Sequence, residues 1–138
     1  MAYAVAPLFA WLVAGSLKFL INSLRVRSLA WGEIGLGHWP STHTTIVSTM
    51  SFLIGLREGF TTPSFGIALT LALIVIIDAL DLGNRIEQQV VALNRLGKPV
   101  PDWKPLRERI GHRPHEVLAG ILTGLICAYL LTLLFPQG

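Results

Sequence analysis

His112 lies in Leu106-Arg-Glu-Arg-Ile-Gly-His-Arg-Pro-His-Glu-Val-Leu-Ala-Gly120, a basic segment just ahead of an apolar run from Val117 to Phe135. His43, in Pro40-Ser-Thr-His-Thr-Thr45, stands in the same place relative to a second apolar run. A neutral imidazole can act as a nucleophile near pH 7, and a protonated one can donate to a leaving group. Lys and Arg clamp the oxygens of a phosphate. Two imidazoles, each at the mouth of a membrane helix with basic residues near by, suit the handling of a phosphate at a lipid surface.

The elements that must position these residues are apolar. Of 138 residues, 52% are hydrophobic and 14% charged, against roughly 25% charged in an average soluble domain. The length fits a single integral membrane domain over residues 1–138. Four apolar stretches predict membrane spans at about 3–24, 41–59, 63–82 and 116–135. A span needs ~20 helical residues to cross ~30 Å of hydrocarbon. The second stretch is short and rich in Thr and Ser, so it crosses only if it reaches from Pro40 to Gly59 or is shielded by its neighbours. The first has no Lys or Arg ahead of it and reads as a retained helix rather than a secretory signal. Cys127, the single cysteine, lies within an apolar run and reads as a small packed or lipid-facing side chain.

The segment from Gly83 to Pro114 is the long connection. Ile86, Val90, Leu93 and Leu96 recur at spacings of three and four, which predicts a short amphipathic helix along the membrane interface. Lys98-Pro-Val-Pro101 and Lys104-Pro105 then break regular structure. The expected architecture is all-α: a polytopic bundle of about four transmembrane helices with one long, amphipathic, cytoplasm-facing loop. Four spans place Arg25, Arg27, Arg85, Arg95, Lys98, Lys104, Arg107, Arg109 and Arg113 on one face and Arg57 on the other. The positive-inside rule makes the first face cytoplasmic. His43, His112, Lys18, Arg25, Asp78, Asp81 and Glu116 all fall on that same face, and ionisable groups at the rim of membrane helices indicate a site.

Singly, these residues admit plainer roles. Lys18 could snorkel to the interface, and Ser41 or Thr42 could cap the second helix while leaving backbone N–H groups for an anion. Asp78 and Asp81 could cap the following segment, pair with Arg85 or ligate a metal. His115 reads as a solvated surface residue.

Taken together, Lys18 with Arg25 seven positions on, Pro40-Ser-Thr-His43, and Gly111-His-Arg-Pro-His-Glu-Val-Leu-Ala-Gly120 resemble the three signatures of the type 2 phosphatidic acid phosphatases. The set is closest to their divergent membrane branch, related to acid phosphatases and vanadium haloperoxidases. In that branch an Asp-bearing third helix followed by a Leu-Asn pair also recurs, here Asp78 with Leu93-Asn94. The resemblance covers roughly Lys18 to Gly124. It implies that His112 attacks phosphorus, Glu116 one turn on orients the ring and stabilises the imidazolium, and His43 protonates the departing alkoxide and later activates water. It also implies that Lys18, Arg25 and one of Arg107 or Arg109 clamp the phosphate, helped by Ser41, with Asp78, Asp81 and Asn94 in support and no metal or other cofactor. The chain departs from the wider pattern at Val26, Thr42, Leu106 and Glu116, where Pro, Gly, Arg and Asp are usual.

The leading expectation is a lipid phosphate phosphatase acting on a phospholipid or polyprenyl phosphate through a phosphohistidine. Its partners would be substrate and bilayer, not nucleic acid, with room for a homo-oligomer. The alternatives are a catalytically silent phospholipid-binding or lipid-transport protein, and a Mg-dependent lipid phosphotransferase using Asp78 and Asp81.

Overall fold

Pro at a first helical position and Gly just beyond a last one mark where these helices begin and end. In the computed structural model, which describes residues 1–26, 39–108 and 110–136 and leaves aside the side chains of Arg25 and Val26, five helices follow in order. They are α1 (Ala2–Val26), α2 (Thr42–Glu58), α3 (Pro63–Leu80), α4 (Leu82–Gly97) and α5 (Pro114–Leu134). No strand occurs among the described residues. Thr62 caps α3, its hydroxyl accepting from the Phe65 N–H at 3.3 Å, with Pro63 following where no N–H is needed. Gly59 closes α2 at φ 106°, a left-handed value that favours glycine.

Ala2–Leu24, Pro63–Gly97 and Pro114–Leu134 are long and apolar enough to cross a membrane. At 17 residues α2 is shorter, roughly 26 Å at the helical rise. It survives because it is the central helix, packed against α1, α3 and α5, while α1 and α3 do not touch each other. Three of its hydroxyls bond back along the chain: Thr45 and Thr49 donate to the carbonyls of Ser41 and Thr45, and Ser51 to that of Val47. These polar side chains are thus paired without lipid or water.

Small residues let α5 close on α2. A Cβ on Gly120 would stand 2.9 Å from the Ser41 carbonyl oxygen, and one on Gly124 would stand 2.7 Å from Ser48 Cβ. Gly120 and Gly124 therefore form a small-xxx-small contact surface. Cys127 is buried a turn further along the same helix. On α1 the inward face is a four-residue series of buried alanines, Ala2, Ala6, Ala10 and Ala14.

At the far end from the histidines, Arg57 donates from Nη2 to the Leu131 carbonyl at 3.2 Å and also to the Phe135 carbonyl. It satisfies the open C-terminal end of α5. Its guanidinium also lies 5.8 Å from the Tyr3 ring centre.

The long connection is folded back rather than extended. Among the helices α4 packs against α3 alone, and the returning chain is pinned along it. Asn94, buried, exchanges hydrogen bonds with Leu106 in both directions at 2.8 Å and donates to Glu108. Glu87 accepts from the N–H groups of Ile110 and Gly111. Gly83 and Gly111 meet backbone to backbone, with Gly111 against Asn84. Ile86, Leu93 and Leu96 remain exposed within the chain. The amphipathic helix α4 thus keeps its apolar stripe uncovered beside a membrane helix, as an interfacial helix does.

Candidate functional site

The two histidine motifs are joined by main chain. The Ser41 N–H, just before α2, donates to the Glu116 carbonyl in the first turn of α5 at 3.1 Å. The His112 N–H donates to the Ala79 carbonyl near the end of α3 at 3.2 Å. The start of α2, the end of α3 and the start of α5 therefore meet at one end of the bundle.

Lys18 turns inward. It extends the alanine series of α1 by one step and is 6% exposed, so it is packed within the bundle rather than snorkelling out to the interface. Glu116 is 1% exposed, and its Oε2 accepts from the Arg113 N–H at 2.9 Å, tying down the first turn of α5. Arg107 is exposed and is held between Leu106 and Glu108, the two residues bound by Asn94. The backbone of Arg25 lies in the last turn of α1. Its side chain, and Arg109 altogether, lie outside the described residues.

Two local expectations are corrected. His112 and Glu116 are not one helical turn apart, because α5 begins at Pro114 and Arg113 is extended at φ −86°, ψ 153°. His112 therefore precedes the helix, partly buried, and the Glu116 carboxylate is held by the N–H of Arg113, the residue between His112 and the helix. Ser41, fully buried, occupies the cap position of α2 without making a side-chain cap. Its hydroxyl instead accepts from Thr44 Oγ1 at 2.9 Å. A residue with a competing hydroxyl three positions on does not need to bond the backbone. The first-turn N–H groups of α2 therefore receive no cap from the Ser41 side chain.

His43 is exposed on the first turn of α2. His115 is exposed too and lies against Trp39, with ring centres 5.7 Å apart. Asp78 is exposed, and Asp81 pairs with Arg85 at 2.9 Å on the surface. The described residues contain no group of three or more His, Cys, Asp or Glu placed to hold a metal. Sequence reasoning passed over Glu87, whose carboxylate holds the chain next to His112, and Asn22, which follows Lys18 on the buried face of α1. The four-residue series of α1 was a signal that could have found the second.

The family model described as the divergent PAP2 family matches residues 2–127. The chain belongs to this family. Within the curated proteins it is similar to YuiD of Bacillus subtilis (strain 168), described as an uncharacterized membrane protein. The two are 26% identical over 147 aligned residues, covering 94% of this chain and 90% of the relative. No solved structure matches. As a divergent PAP2 protein with three apolar membrane-length segments, the chain is an integral membrane protein related to phosphatases.

Proposed function

We propose that this divergent PAP2 protein is a single-domain, four-span lipid phosphate phosphatase that works through a phosphohistidine. His112 attacks phosphorus, forming an N–P bond as the bond to the lipid oxygen breaks. His43, protonated, gives its proton to the departing alkoxide. Water then attacks the phosphohistidine, His43 takes its proton, and inorganic phosphate leaves with both imidazoles restored. Lys18, Arg25, and Arg107 or Arg109 hold the non-bridging oxygens, with the N-terminus of α2 beside them. Glu116 stabilises the imidazolium that develops.

The observation that carries this reading is the main-chain meeting of the two histidine motifs at the end of the bundle where Lys18 and Glu116 are buried. A monoester or diphosphate of a phospholipid or polyprenol is the substrate class. The test is phosphate release from such lipids in detergent and excess chelator. Release that orthovanadate inhibits supports the reading, and release that the chelator abolishes transfers it to the metal-dependent alternative through Asp78 and Asp81.

A second reading, a silent phospholipid binder, draws on two groups already engaged by the fold. The Ser41 hydroxyl accepts from Thr44, and the Glu116 carboxylate accepts from Arg113. It predicts lipid binding with no phosphate release.

A further inference from the structure

On α1 every fourth residue is buried, and the series Ala2, Ala6, Ala10, Ala14 ends in Lys18 and Asn22. Alanine lets the helix approach its neighbours closely, and the change to two polar residues coincides with the end where α2 and α5 begin. Asn22 is 7% exposed. Its Nδ2 is buried and has no hydrogen-bond partner among the described residues. The other two asparagines behave differently: Asn84 donates from Nδ2 to the Leu80 carbonyl, and Asn94 donates to Leu106 and Glu108. A buried amide donor left unmade is costly, and native structures rarely keep one without a use.

Its position says what would complete it. Four residues along a helix is a rise of about 6 Å on nearly the same face, so Asn22 follows Lys18 one turn on along the buried face of α1, toward the end of the bundle where α2 and α5 begin. The group missing is an acceptor, and it must be compatible with an adjacent cation. A phosphate oxygen meets both conditions. We propose that Asn22 is a substrate-binding residue whose Nδ2 donates to a non-bridging oxygen of the phosphate that Lys18 neutralises. This rests on the phosphate-site reading above and adds to the basic clamp a neutral donor that selects for an acceptor.

The test uses the full chain purified in detergent, with orthovanadate and inorganic phosphate as probes, on wild type and on Asn22→Leu, Asn22→Asp and Lys18→Leu. Because the donor has nothing to lose in the ligand-free protein, Asn22→Leu should unfold at a Tm equal to or above that of wild type without phosphate. It should bind orthovanadate roughly 10- to 100-fold more weakly, the loss expected for one hydrogen bond to a charged group. Asn22→Asp, nearly the same shape but repelling the anion, should weaken binding further. If Asn22→Leu lowers the ligand-free Tm, the amide is a packing element and the inference is overturned. It is equally overturned if both Asn22 variants bind as wild type does while Lys18→Leu loses binding, and the phosphate site itself then stands. If wild type binds neither probe, the phosphate-site reading fails and takes this inference with it.

Discussion

At the scale of single residues, the two histidines near the bundle end carry unequal burdens. His112→Ala removes the nucleophile, so phosphate release should fall to background. His43→Ala removes the proton donor and should lower kcat by about 10²–10⁴-fold. His115→Ala should change turnover little, since that ring is exposed and packs on Trp39 rather than toward Glu116. Initial rates on a lipid monoester across the three variants check this order, and a loss confined to His115→Ala would contradict it. The convergence of the two histidine motifs on one end of the bundle was legible because their order along the chain, at the starts of the second and last apolar runs, already placed them on one face. The relation between His112 and Glu116 was not, since a helical spacing of four was assumed across Pro114, and the helix begins only there. The roles of Asn94 and Glu87 depend on chain returning from residues 106–111, and no local pattern announces such contacts.

At the scale of elements, the contact between α2 and α5 and the pinned return along α4 set the site's geometry. Gly120→Leu would drive a branched side chain into Ser41 and Thr44. It should destabilise the bundle by about 1–3 kcal/mol, whereas Gly15→Ala, with open space around it, should leave stability unchanged or raised by up to ~1 kcal/mol. Thermal unfolding in detergent distinguishes them. Asn94→Leu releases Leu106 and Glu108, the residues on either side of Arg107. If Asn94 acts by placing Arg107, the double variant Asn94→Leu/Arg107→Ala should be no worse in kcat/KM than the more damaging single variant. Additive losses would show that the two act separately. The shortness of α2 left open whether it reaches from Pro40 to Gly59 or is shielded, and the helix packs centrally among α1, α3 and α5. The hydroxyls of Thr45, Thr49 and Ser51, bonded back to carbonyls one turn earlier, help to permit so polar a segment there.

At the scale of the whole molecule, the chain has two unlike ends. One holds the start of α2 with His43, the segment of His112, and the buried Lys18 and Glu116, and the other holds Arg57 as a cap on α5. Because Arg57 has that structural task, its place opposite the other basic residues is not an orientation signal, and the charge bias rests on the loops. The proposed cytoplasmic facing of the histidine end predicts that a membrane-impermeant maleimide added to intact cells labels Thr61→Cys and spares Lys98→Cys, both in a Cys127→Ser background. The reverse pattern would place the site on the outer face and move its substrate to the other leaflet.

The central claim, a covalent phosphohistidine at His112, is tested most directly by trapping it. Wild type is incubated briefly with a lipid carrying labelled phosphate and quenched in alkali, where phosphohistidine persists, and the modified residue is located by mass spectrometry. The label should sit on His112, be discharged by acid, vanish in His112→Ala and persist in His115→Ala. Phosphate release without any label on His112, or with label on His43 or His115 instead, would contradict the account.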